Sequence, residues 1–183
     1  MKTGAIELRA ILNAYKQVME ASWPSLHPEM AAVAAHWSDA DENALRAELA
    51  GYLREASSPT TRVRIFWKLM PGFVFGGCNL PFAHDAGFPD ANALVGIDDF
   101  DPRLPWTQQA SKYREDDEQV FYTRQPKLDI VERQRQSDAT IWVRAGKAPI
   151  RSAGGEVLGI LGMYEILDSD VGRRLFAERL IAQ

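Results

Sequence analysis

Apolar positions recur at three- and four-residue intervals at the start of the chain. Ile6, Leu8, Ile11, Leu12, Tyr15, Val18, Met19 and Trp23 fall on one face of a predicted helix, and Pro24 ends it. A short second helix is predicted from about Glu29 to Trp37, with Met30, Val33, Ala34 and Trp37 inward. Ser38 or Asp39 caps a third, on which Leu45, Leu49, Tyr52 and Leu53 share a face. The cluster Ser57-Ser58-Pro59-Thr60-Thr61 breaks the pattern and marks a domain boundary.

Beyond that boundary the period shortens. Arg64 to Lys68 and Phe73-Val74-Phe75 flank the turn Met70-Pro71-Gly72 and predict a hairpin. Asn79 caps a brief helix from Leu80 to Ala86, and Gly87 stops it. Residues 88–107 are rich in Asp, Pro and Gly and read as loop with single turns. Ala110, Tyr113, Asp117, Val120 and Phe121 lie at helical spacing between Gln108 and Arg124, and Pro126 closes that helix. Strands follow at about Lys127 to Gln134, Thr140 to Arg151 and Val157 to Ile166, the last two joined by a turn at Ser152 to Glu156. The tail from Ser169 to Ala182 is helical again. From residue 64 the order is β-β-α-loop-α-β-β-β, which predicts an α+β fold: an antiparallel sheet with its helices gathered on one face.

Composition narrows the function classes. The chain has 183 residues, 46% of them hydrophobic, and a formal net charge of −4. That balance predicts a globular protein and argues against a nucleic-acid partner. A single cysteine excludes an internal disulfide framework and any cysteine-rich zinc site, and fits a reducing, cytoplasmic setting. No apolar run approaches the ~20 residues a bilayer span needs, so no membrane association is expected.

The residues themselves carry a resemblance. Phe66-Trp67-Lys68, Gly76-Gly77-Cys78-Asn79, Phe82-Ala83 and Asp85-Ala86-Gly87 look like the first hairpin and short helix of a bacterial PAS branch. Leu94-Val95-Gly96, Asp99-Phe100-Asp101 and Leu104-Pro105-Trp106 resemble its central loop, and Tyr113-Arg114, Asp116-Asp117 and Val120 its long helix. Ile141-Trp142-Val143-Arg144, Lys147-Ala148-Pro149-Ile150-Arg151, Gly155, Gly159 and Gly162-Met163-Tyr164-Glu165 resemble its last two strands. The likeness spans about residues 64–166. Leu69 stands where the branch usually has Asp, Pro102-Arg103 resembles an insertion, and the usual Asp-Ile-Thr after the last strand is missing.

The resemblance implies a PAS fold: a five-stranded antiparallel sheet, its last strand beside its first, with helices on one face. It divides the chain into a helical N-terminal extension (1–58), a PAS sensor domain (59–167) and a linker helix (168–183). It also implies a pocket between sheet and helices. By analogy with flavin-binding relatives, Val143, Ala145 and Lys147 face inward with Ile160, Gly162 and Tyr164, leaving Trp142 and Arg144 outward. Tyr113 and Asp117 from the long helix and Trp106 from the central loop complete the expected ligand site. Ala145 and Gly162 are small, which underfills the sheet's centre unless bulky helix residues reach it. Buried Lys147 and Tyr164 each need a polar partner, which a ligand, Asp117 or ordered water could supply.

Other chemistry finds less support. Haem-binding relatives place a histidine on or near the long helix, which here has none; His27 and His36 lie in the extension and His84 on the short helix. Flavin photosensors of the family carry a cysteine in the central loop, whereas Cys78 precedes the short helix. No cofactor is therefore expected, and the purified protein should be colourless. His84 and Asp85 are neighbours and point apart on a helix, and no Gly-x-Ser-x-Gly elbow exists, so no catalytic activity is expected. Gly76-Gly77 reads as a strand irregularity or close backbone approach rather than a phosphate loop. Asp98, Asp99, Asp101 and Glu115 to Glu118 lack calcium-loop spacing. Asp99 and Asp101 are expected to cap loop turns, and the Glu115–Glu118 run to form a solvated helix face.

The expected function is a sensory domain that binds a small molecule and signals to an output domain (a kinase, a cyclic-dinucleotide enzyme or a transcription factor) in a longer protein. The alternative is a ligand-free module for dimerisation or protein interaction. A homodimer is expected through the first helix and the tail, because Ile11, Tyr15, Trp23, Trp37 and Tyr52 leave the extension with unburied apolar surface. The competing arrangement folds the extension back on its own sheet.

Overall fold

A computed structural model describes residues 5–22, 43, 44, 47, 50, 51, 54, 61–136 and 139–182. The predicted helix at 29–37, its neighbour Pro24, the cap at 38–39, the breaker residues 57–60, and Trp23, Trp37 and Tyr52 lie outside the described residues. Asn43, Ala44, Ala47, Ala50, Gly51 and Arg54 are helical, as the third predicted helix requires.

The described elements are α1 (Ala5–Ser22), β1 (Val63–Leu69), β2 (Val74–Cys78), α2 (Leu80–Asp85), α3 (Ala110–Thr123), β3 (Lys127–Arg135), β4 (Thr140–Arg151), β5 (Val157–Leu167) and α4 (Ser169–Ile181). Between α2 and α3 run two single helical turns, Ala91–Leu94 and Thr107–Gln109. All strand pairs are antiparallel, in the order β2-β1-β5-β4-β3. The last strand thus lies beside the first, as expected. The local signals act where they were read. Asn79 caps α2 with its side chain on the Phe82 N–H, and Gly87 (φ 82°) follows in the left-handed region.

Alternation along the strands makes two cores. On the inner face Phe66, Val143, Ala145 and Tyr164 pack with Phe75, Phe82, Leu94, Leu104, Trp106 and Tyr113 from β2, α2, the central loop and α3. On the outer face Val63, Ile65, Trp67, Ala148, Ile150, Leu161 and Met163 meet Ile11, Leu12, Ala14, Tyr15 and Val18 of α1. Helices therefore cover both faces of the sheet: α2 and α3 on the inner one, α1 on the outer one. Ile11 (2% exposed) and Tyr15 (5%) are buried within their own chain, which removes them from the surface on which a dimer was expected. The competing, folded-back arrangement holds for α1.

Close approach explains several glycines. A Cβ at Gly77 would stand 2.1 Å from the Trp67 ring, beside a register shift between Trp67 and Lys68, so the Gly76-Gly77 pair lets the Trp67 indole lie directly on the β2 backbone. Gly172 of α4 meets Trp142 in the same way, and Phe176 packs on that indole with ring centroids 5.5 Å apart. The tail thus docks on the outward-facing Trp142.

Candidate functional site

The inner face of the sheet carries a cavity of about 40 Å3. Phe66 and Lys68 of β1, Glu132 and Gln134 of β3, Val143, Ala145 and Lys147 of β4, and Tyr164 of β5 line it from the sheet. Phe75, Phe82, Asp99, Trp106 and Tyr113 close it from the other side. The aromatic wall is continuous: Phe82 stacks on Phe66 at 4.7 Å and lies 5.5 Å from the Trp106 ring and 6.1 Å from Tyr164, centroid to centroid.

A buried ionic cluster forms one wall. Lys68 (1% exposed) reaches across from β1 to Asp99 of the central loop and to Asp117 of α3, the latter at 2.6 Å. The second Asp117 oxygen accepts from Lys147 at 2.5 Å, and Lys147 also donates to the Tyr113 carbonyl at 3.3 Å. Asp99 accepts the Trp106 indole N–H at 3.2 Å. Burial alone would lower the Lys68 pKa, but Asp117 and Asp99 outweigh it and hold it above 10.5. Burial would raise the Asp117 pKa, and Lys147 and Lys68 reverse that and hold it below 3.8. Two ammoniums face two carboxylates, and each charge has a partner.

A second polar chain crosses the opposite end. Arg64 grips Asp85 with two N–H groups, at 2.8 and 3.3 Å, and the Tyr164 hydroxyl donates to the same carboxylate at 2.7 Å. Burial first, and Asp85 second, push the Tyr164 pKa well above the usual range. The Gln134 Oε1 atom, in a residue only 6% exposed, has no hydrogen-bond partner.

Of the expected ligand residues, Val143, Ala145, Lys147, Tyr164, Tyr113 and Trp106 line the cavity. Three do not. Ile160 faces inward but packs with Phe73 and Val120. Gly162 is covered by the Phe66 ring, which a Cβ would approach to 2.2 Å, so a strand neighbour rather than a helix residue fills its space. Asp117 lies behind Lys68 and Lys147 and anchors them. It supplies the polar partner Lys147 needed, as Asp85 does for Tyr164. Trp142 and Arg144 point outward, Arg144 onto Glu165.

Two expectations about carboxylates are corrected. Asp101 caps a turn, accepting the Arg103 N–H at 3.0 Å, but Asp99 is 2% exposed and belongs to the ionic cluster; Asp98 is its capping neighbour, on the Phe100 N–H. The run from Glu115 to Glu118 is not a solvated face throughout. Asp116 and Asp117 turn under the helix, where Lys127 and the two buried lysines compensate them. Lys68, Gln134 and Glu132 were not foreseen in the site. Strand alternation from Phe66 would have put Lys68 on the inner face.

The lining does not fit a flavin. The cavity holds about three water-sized groups, the ionic cluster occupies the wall, and Cys78 is not part of it. His84 is exposed on α2, turned away from buried Asp85. Among the described residues no group of three His, Cys, Asp or Glu side chains could hold a metal ion, and no helix is long and apolar enough to cross a membrane. Cys78 is 3% exposed, and burial pushes its thiol up to about 12. A thiol reagent at about pH 8 should therefore leave the folded chain unmodified and label it on unfolding. Rapid stoichiometric labelling of the folded chain would contradict that burial.

No protein-family model matches the chain, and no curated protein does. Solved structures do. A Vibrio cholerae VqmA–ligand–DNA complex is similar at 18% identity and a TM-score of 0.56, over 64% of this chain and 51% of that one. A phage VqmA–DPO complex has 20% identity and a TM-score of 0.55, over 75% and 59%. The PAS domain of a Colwellia psychrerythraea protein has 12% identity and a TM-score of 0.50, over 65% of this chain and 97% of its own. The matched part of each VqmA chain is little more than half its length. Strand order, the inward set of β4 and β5, and these likenesses agree: residues 63–167 form a domain of PAS fold.

Proposed function

We propose that this chain is a small-molecule sensor whose ligand occupies the cavity between β1, β3, β4 and β5 and the elements carrying Phe82, Trp106 and Tyr113. The observation that carries the reading is a cavity of about 40 Å3 with an aromatic wall and the polar side chains of Lys68, Lys147 and Tyr164 around it. The VqmA structures support it, since one holds DPO and another a ligand with DNA. Readout would pass through α1 and α4, which pack on the outer face of the same strands, to an output domain. VqmA also qualifies the expectation of no nucleic-acid partner, because a DNA-binding output is one form such a signal takes. Phe176, Leu180 and Ile181 are exposed on α4 and supply a surface for the expected homodimer. No step of bond-making chemistry is assigned to the cavity.

A specific observation favours the second reading, a ligand-free dimerisation or protein-interaction module: the four buried charges satisfy one another and the space left is small. A thermal-shift screen of small molecules against the wild-type chain and Ala145→Leu separates the two. The added carbons fill the cavity, so compounds that stabilise the wild type by mass action should leave the variant unmoved. Identical responses of the two chains across the screen would rule out the sensor.

A further inference from the structure

Most walls of the cavity cannot part at low cost. Paired strands carry one side, and the Phe82 and Trp106 rings, packed on Phe66, close the other, so opening either breaks sheet pairing or bares apolar surface. Among the described lining residues, all are buried except Glu132 of β3. The cavity therefore comes nearest the surface at the edge strand β3, where the start of α3 lies across it.

That seam is polar. Glu132 pairs there with Lys112 of α3, whose side chain is 51% exposed. One turn earlier Gln109, the residue before α3, bonds the β3 backbone with both ends of its amide. Its Nε2 donates to the Arg133 carbonyl and its Oε1 accepts the Arg135 N–H, each at 3.1 Å. The same Oε1 accepts from the hydroxyl of Tyr113, a cavity residue, at 3.2 Å. Farther along, the helix is pinned: Lys147 holds the Tyr113 carbonyl, Asp116 pairs with Lys127, and Asp117 takes both buried lysines. Parting the bonds of Gln109 and Lys112 exchanges them for water at small net cost, whereas releasing Asp117 strands buried charge. The first turn of α3 can thus lift while the middle of the helix holds. Trp106, just before that turn, lines both the cavity and a surface groove with Pro105, Gln109, Arg133 and Thr140, so lifting the turn joins the two.

Resting on the sensor reading, we propose that the turn from Gln109 to Lys112 is the door of the cavity, latched on β3 by the Gln109 amide and the Lys112–Glu132 pair, and that this seam sets how fast a guest enters and leaves.

A thiol placed in the cavity reads the door without any ligand. The full chain carrying Ala145→Cys is treated with methyl methanethiosulfonate, a small neutral thiol reagent. Buried Cys78, which does not line the cavity, reports global unfolding in the same molecule. The introduced thiol should react faster than Cys78. Adding Lys112→Met should raise the ratio of the two rates about threefold, and Gln109→Ala about tenfold. Sodium chloride at about 0.5 M should raise the ratio while Lys112 is present and leave the Lys112→Met chain unmoved, because salt screens an exposed pair. Arg64→Met, which breaks the ion pair at the opposite end of the cavity, should leave the ratio unchanged. Equal pace of the two thiols in every chain, indifference of the ratio to the latch variants and to salt, or an equal gain from Arg64→Met would overturn the door. None of these outcomes touches the sensor reading, which falls only if the ligand screen moves the wild type and Ala145→Leu alike.

Discussion

Replacing Asp117 with alanine should destabilise the chain by about 3–5 kcal/mol, the usual cost of removing one partner from a buried ion pair. The carboxylate is fully buried and takes Lys68 on one oxygen and Lys147 on the other. Without it Lys68 keeps Asp99, while Lys147 keeps only the Tyr113 carbonyl. Removing the stranded charge together with the carboxylate, as Asp117→Leu with Lys147→Met, should recover most of the loss, because well-packed apolar replacements of buried pairs are often neutral. Urea unfolding at neutral pH measures both. A loss below about 1 kcal/mol for the alanine variant would mean that the cluster is solvated. The pH dependence has a definite sign. The folded Asp117 pKa is depressed, so its contribution is present above the ordinary carboxylate range and is lost as pH falls through the lowered value. The folded Lys68 pKa is raised, so its contribution is present below 10.5 and is lost as pH rises through the higher value. Between those limits the cluster contributes a constant amount.

The second large effect concerns α1. Leu12 (1% exposed) and Val18 (0%) lie against a sheet face that has Trp67, Ile150, Leu161 and Met163 at its surface. Leu12→Ala should cost about 2–5 kcal/mol. A chain beginning at Thr61 should self-associate, because removing α1 bares one contiguous apolar face. Sedimentation velocity of that chain beside the full-length one makes the comparison. A shortened chain that stays monomeric and melts with the full-length chain would show that α1 adds nothing to the fold.

Much of this architecture was readable because several local signals agree at each element. Asn79 and Gly87 bracket α2, Pro126 follows α3, and the turn at Ser152 to Glu156 sets the β4–β5 hairpin. The period of two along β4 and β5 put Val143, Ala145 and Lys147 on one face and Ile160, Gly162 and Tyr164 on one face, and the resemblance to flavin-binding PAS domains, not the period, turned those faces inward. What escaped the sequence was long-range. Nothing local tells Asp99 from Asp98 and Asp101; all are loop aspartates, and only Lys68, 31 positions earlier, makes one of them structural. Asp116 and Asp117 read as part of a surface charge run because their counter-ions come from β1, β3 and β4. Gly162 looked like empty space because Phe66, which fills it, comes from a strand almost a hundred residues earlier. The apolar face of α1 was plain, but periodicity does not say whether a helix covers its own sheet or another copy's.

The claim that the cavity takes a small molecule meets its most direct test in native mass spectrometry of the freshly purified full chain beside Ala145→Leu. The wild-type chain should carry a discrete low-mass adduct, released on unfolding, without visible absorbance and missing from the variant. Both chains flying at the mass of the bare polypeptide would contradict the sensor and leave the PAS fold here as a packing and interaction module.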